Sequence, residues 1–178
     1  LLTLQRRGEI VAIHKEHIDW RQALWTIPTL NKKERRIGLV PLAPMALAVL
    51  QEAFAHSKCD WAFAGRDTGT HMDAHTLTKF MDRLRETTGL KQITPHDLRR
   101  TGRTKLTSDE VGVDEMTAER VLNHIVGSRQ QRAYDWQQYT SQKRAALVAW
   151  ERELSRILAN APAAAATPAP ASPHEVGV

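Results

Sequence analysis

The chain has 178 residues, 42% hydrophobic and 25% charged, a globular composition that excludes a mostly disordered protein. It has no apolar run near the ~18 residues that cross a bilayer, no signal-peptide pattern and a single cysteine, Cys59, which excludes a disulfide framework and a cysteine zinc cluster. The formal charge is +5, and the last eighteen residues carry only Glu175, so the positive excess lies in residues 1–160 and is compatible with a polyanion such as nucleic acid.

The expected protein is therefore intracellular, cytoplasmic and without a membrane partner. LLTLQRRGEIVAI opens the chain as a helix already in progress, with Leu1, Leu4, Ile10 and Ile13 apolar and no N-cap before them. That start is expected of a piece lacking an upstream helix and an N-terminal domain. Three strands follow: His17–Trp20, Ala23–Ile27 closed by Pro28, and RRIGLVPL ending near Pro41. A small antiparallel sheet with a lysine-rich turn is the economical arrangement.

After Pro44 the period becomes helical to about His56, through Met45, Leu47, Val49, Leu50 and Phe54. Asp60–Ala64 reads as a short buried stretch and GRDTGTHMD as loop. Ala74–Thr88 is a helix with Leu77, Phe80, Met81 and Leu84 on one face, ended by Gly89. Thr94-Pro95 starts another through HDLRRTGRTKL; Val113–His124 gives a short one. Thr140–Leu158 gives a long one striped by Leu147, Trp150, Leu154 and Ile157, a stripe open to its own domain or to a neighbouring subunit. Residues 161–178 hold four of the eight prolines and seven alanines, with no aromatic, and are expected to be a disordered tail. The fold class is thus mainly α with a small antiparallel β-sheet, in one domain over residues 1–160.

Five segments carry side chains suited to chemistry: Arg6, Lys33 in the turn between the second and third strands, His96 and Arg99 on one helix face, His124, and Tyr134 ten residues later. Taken singly, each has a plain structural reading. An arginine on a helix is usually a solvated or ion-paired surface group. A turn favours lysine, His96 could pack or cap a helix start, and Tyr134 could be core with its hydroxyl at the rim. His71 and His75 have the spacing of a zinc helix but lack the glutamate of His-Glu-x-x-His, and no metal or other cofactor is expected.

Together these residues resemble the tyrosine recombinases, or phage-type integrases. TLQRRGE at 3–9 is similar to the family's Thr-Gly-x-Arg-x-x-Glu, with Arg6 and Glu9 in register and Leu4 where the family has Gly. Lys33 precedes Val40-Pro41-Leu42 as the family's hairpin lysine precedes Val-Pro-Leu, with Lys32 its rival. His96-Asp97-Leu98-Arg99 resembles the His-x-x-Arg box, and Leu122-Asn123-His124 the Leu-x-His element that precedes the nucleophilic tyrosine, Tyr134. Tyr139 is the other tyrosine nearby, and its place before the last helix reads as packing.

The resemblance implies the catalytic-domain fold of the DNA breaking-rejoining enzymes and double-stranded DNA as partner, bound as a homo-tetramer in the longer protein. It implies that Tyr134 attacks a phosphodiester to leave a 3′-phosphotyrosyl bond, with Arg6 and Arg99 clamping the phosphate. His124 would be a further donor, Lys33 the proton source for the leaving 5′-oxygen, and His96 an aid to proton transfer. Planar guanidinium forks fit phosphate oxygens, and a phenol of reference pKa ~10 needs an electropositive site to ionise near pH 7. Three alternatives stay open: a type IB topoisomerase-like enzyme, a non-catalytic DNA-binding module of the same fold, and a helical interaction protein with a basic surface.

Overall fold

Trp25 and Ile27, two residues apart, fall on one face of a pleated strand. A computed structural model describes residues 1–31, 36–67, 69–89, 93–124 and 136–161. In it, β1 (Ile18–Asp19), β2 (Leu24–Asn31) and β3 (Arg36–Pro41) form an antiparallel sheet in the order β1-β2-β3. The register sets Trp25 opposite both Ile18 and Val40, so three buried side chains share one face. Pro28 does not close the second strand: β2 runs on to Asn31, and the pairing shifts between Ile27 and Asn31, where a proline without an N–H is tolerated.

The opening helix is shorter than the sequence suggests. Only Arg7–Val11 (α1) is helical, because Leu4 takes a left-handed φ of 54° and turns the chain just before it. Such a backbone costs a leucine roughly 1–2 kcal/mol. Burial compensates: the Leu4 side chain is 1% exposed and lies where a Cβ on Gly102 would stand. Gly102→Ala is therefore expected to destabilise the chain by about 1–3 kcal/mol in urea unfolding through overpacking. Leu4→Ala should recover part of that loss in the double variant, and simple additivity would show that the two sites do not compete.

The remaining helices start and stop where local chemistry directs. Pro44–His56 (α2) begins at a proline but has no capping side chain of its own; Glu151 from the last helix accepts from the Met45 N–H at 2.7 Å. Ala74–Thr88 (α3) is capped by Asp73, whose carboxylate accepts from the His75 N–H at 2.7 Å, and stops at Gly89 with φ 69°. Met81 is buried on its inner face, whereas Phe80 and Leu84 of the expected apolar face are exposed.

Pro95–Leu106 (α4) opens on a reciprocal box: Thr94 Oγ1 accepts from the Asp97 N–H and the Asp97 carboxylate accepts from the Thr94 N–H at 3.0 Å. Glu115–Val121 (α5) follows. Trp136–Ala159 (α6) lays Leu147, Trp150 and Leu154 into the core shared with Trp25, Val40, Leu106 and Val121. The stripe thus docks on its own domain, and Ile157, read as part of it, lies beyond that contact and is exposed. Among the described residues no helix is long and apolar enough to cross a membrane.

Candidate active site

Helical spacing brings His96 and Arg99 to one side of α4, and the Leu4 turn brings Arg6 to the same place. Arg6, His96 and Arg99 line one cleft of about 800 Å³, with Trp25 and Trp61 among its walls. The two arginines are held very differently. Arg6 stands at the start of α1 with a half-exposed side chain, its Nη1 3.1 Å from Glu9 Oε1, while its backbone N–H donates to Glu9 Oε2 at 2.8 Å. The arginine end of the pair is open to solvent. The Glu9 side chain is 12% exposed and keeps its bond from the Arg6 N–H, so Arg6 can turn to another anion without leaving Glu9 unpartnered.

Arg99 is 6% exposed and pinned. Nη1 donates to the Leu4 carbonyl at 2.5 Å, and Nη2 donates to the Leu122 carbonyl at 2.7 Å and to His124 Nε2 at 3.2 Å. These bonds occupy three of the guanidinium's five N–H groups among the described residues, leaving Nε–H and one Nη1–H for an anion. Burial, then the Arg6 charge, lowers the Arg99 pKa to about 10, against the opposing pull of Glu9 and Glu119. The guanidinium stays charged at neutral pH. Two mutually repelling cations beside one cleft are an arrangement suited to an anion, whose charge would offset the repulsion and compensate the desolvation of Arg99.

His124 does not line the cleft; it reaches the cluster through Arg99. A guanidinium only donates, so His124 Nε2 accepts from Arg99, and the ring proton sits on Nδ1, 2.5 Å from Glu119 Oε2. In this arrangement Nε2 offers a lone pair to Arg99 and not a proton to the cleft. Glu119 also accepts from Arg103 Nε at 2.9 Å. The His124 bond first and the Arg103 bond next hold its carboxyl below the usual glutamate range. Its contribution to stability is complete above the ordinary glutamate value and is lost as pH falls through the lower folded one.

Glu119 was not evident as a partner of His124 from the sequence, since five residues is no helical face spacing. The link arises from the end of α5: Asn123 takes φ 53°, its N–H donates to the Arg120 carbonyl, and the His124 N–H donates back to the Glu119 carbonyl, both at 3.0 Å. A residue tolerant of the left-handed region between a helix and a histidine was the available signal.

Lys33, its rival Lys32 and Tyr134 lie outside the described residues. Tyr139 is described, and the Arg120 guanidinium stacks on its ring, 3.4 Å from the centroid. His71 Nδ1 meets the Met72 carbonyl at 2.8 Å, and among the described residues no group of three or more metal-ligating side chains is gathered.

A sequence model of the phage integrase family matches residues 1–140. Among solved structures, the chain is similar to the integrase from mycobacterium phage Brujita, with a TM-score of 0.61 and 21% identity over 84% of this chain and 49% of that one. It is also similar to the XerA recombinase, with a TM-score of 0.54 and 20% identity over 90% of this chain and 55% of that one. The chain thus spans about half the length of these two structures. At such identities the likeness is one of fold. A search of curated proteins gave no match.

Proposed function

The chain belongs to the phage integrase family, and from that premise we propose that it is the catalytic unit of a site-specific tyrosine recombinase that cuts and rejoins double-stranded DNA. The observation that carries this reading is the convergence of Arg6, His96 and Arg99, remote in sequence, on one cleft, with His124 bonded to Arg99.

The scissile phosphate would sit between the guanidiniums. Arg6 turns from Glu9 to a phosphate oxygen, and Arg99 offers its remaining N–H groups from a fixed position. As charge builds on the pentacoordinate phosphorus, donors already in place stabilise it without reorganisation. The Tyr134 oxygen forms the new bond to phosphorus while the bond to the 5′-oxygen breaks. Lys33 donates the proton that the departing 5′-oxygen needs, and His96 takes the proton that the Tyr134 phenol gives up. The phosphoester count is unchanged, so a second strand's 5′-hydroxyl reverses the step without an external energy source.

Incubation with a pool of nicked duplexes of random sequence tests the proposal, because release of the short leaving strand traps any covalent product. Protease digestion and mass spectrometry are expected to place a nucleotide on Tyr134. An adduct on Tyr139, or none, overturns the reading.

A further inference from the structure

Three buried polar side chains, of which Gln5 also lines the cleft wall, are joined in a line. Gln5, Asn123 and Lys143 are each 6–7% exposed. Lys143 Nζ donates to Asn123 Oδ1 at 2.8 Å and to the Leu39 carbonyl of β3. Asn123 Nδ2 donates to Gln5 Oε1 at 2.8 Å, and Gln5 Nε2 donates to the carbonyls of Thr3 at 2.6 Å and Val121 at 2.8 Å.

The polarity of this line is forced. An ammonium has no lone pair, so the oxygen of Asn123 must face it. The Asn123 amide nitrogen then faces Gln5, which must present its own oxygen there, and the Gln5 nitrogen is left for two carbonyls that can only accept. One cation at the end of the line thus orients both amides.

The residues so oriented are neighbours of the proposed site. Gln5 precedes Arg6, and Asn123 precedes His124. The same two turns are bound a second time through Arg99, which holds the carbonyls of Leu4 and Leu122. The turns are therefore clasped twice, by Arg99 and by the amide line, while Lys143 ties them to β3.

We propose that Gln5, Asn123 and Lys143 are positioning residues that fix the Arg6 turn against the His124 turn, so that Arg99 and His124 hold the geometry that receives a phosphate. The functional part of this inference rests on the recombinase reading above. A buried line of this kind is costly to leave half made, since each freed partner keeps its desolvation penalty. Its role is nevertheless distinguishable from plain stabilisation, because the alignment it controls ends at a ring with two tautomers.

Asn123→Gly in the full chain is the cleanest test. It keeps a left-handed backbone accessible and removes the bridge. Lys143→Met removes the orienting donor, and Lys143→Arg restores one. The His124 ring nitrogens are read by nitrogen–proton correlation NMR, and covalent capture of the random nicked pool by single-turnover rate. Asn123→Gly and Lys143→Met are expected to convert the single Nδ1–H tautomer to a mixture and slow capture about tenfold at unchanged DNA affinity. Lys143→Arg should return both readouts towards the parent. A lower urea midpoint with the parent's tautomer and capture rate would make the line structural only. A tautomer response in a chain that captures no DNA overturns the recombinase reading and leaves the positioning of His124 standing; capture with no tautomer response does the reverse.

Discussion

Tyr134→Phe binds DNA as the parent chain does and captures none of it covalently, whereas Tyr139→Phe captures at close to the parent's rate; denaturing gels of the trapped nicked duplexes read both. The expectation follows from what each phenol has to do. A covalent step needs a free oxygen nucleophile, and a phenol near pH 7 has roughly one part in a thousand ionised, so an adjacent cationic site must favour the anion. The ring of Tyr139 is covered by the Arg120 guanidinium at 3.4 Å, an arrangement of packing at the start of α6. Removing a hydroxyl leaves the charge of the chain unchanged, which separates loss of chemistry from loss of binding. Parent-like capture by Tyr134→Phe would remove the nucleophile from the proposal.

Arg99→Ala should lose both rate and stability. Covalent capture is expected to fall on the order of 10²–10³, the usual loss for one preorganised donor to a developing anion. Unfolding free energy should fall by about 1–3 kcal/mol or more, because the carbonyls of Leu4 and Leu122 lose their partner. Arg99→Lys repairs neither, since a single ammonium cannot span both carbonyls and His124 as a fork does. Arg6→Ala makes the contrast. It should lose capture by a similar factor while its stability changes by only ~0–1 kcal/mol, as its guanidinium is half exposed and Glu9 keeps the Arg6 backbone N–H. Urea titration beside the capture assay checks both variants. Equal stability losses at the two positions would contradict the division of labour between a pinned and a mobile guanidinium.

Much of the scaffold was legible wherever a boundary had a local cause. The ends of α2, α3 and α4 follow from Pro44, from Asp73 and Gly89, and from Thr94-Pro95, each acting within one turn of itself. The misreadings share another cause. Leu1–Ile13 carries helical spacing, yet Leu4 is bent into the left-handed region to fill the space above Gly102, a partner ninety-eight residues away that no local pattern reveals. Pro28 reads as a strand end but falls where the ladder slips.

The site divides the same way. His96 and Arg99 share a helix face by spacing alone, and their convergence with Arg6 was expected only through the family resemblance. Glu119 and the Gln5–Asn123–Lys143 line escaped because their contacts depend on a helix end and on burial. Both of these are set by the tertiary fold, and neither shows as a residue type at a fixed interval.

One side chain, Arg99, closes contacts across 95 residues to Leu4 and across 23 to Leu122. Both bends are tied to that common anchor. A chain severed between them and remixed as two fragments would have to reunite around the arginine before any part of the cleft existed, so recovery of anion binding on mixing would report reassembly of the whole.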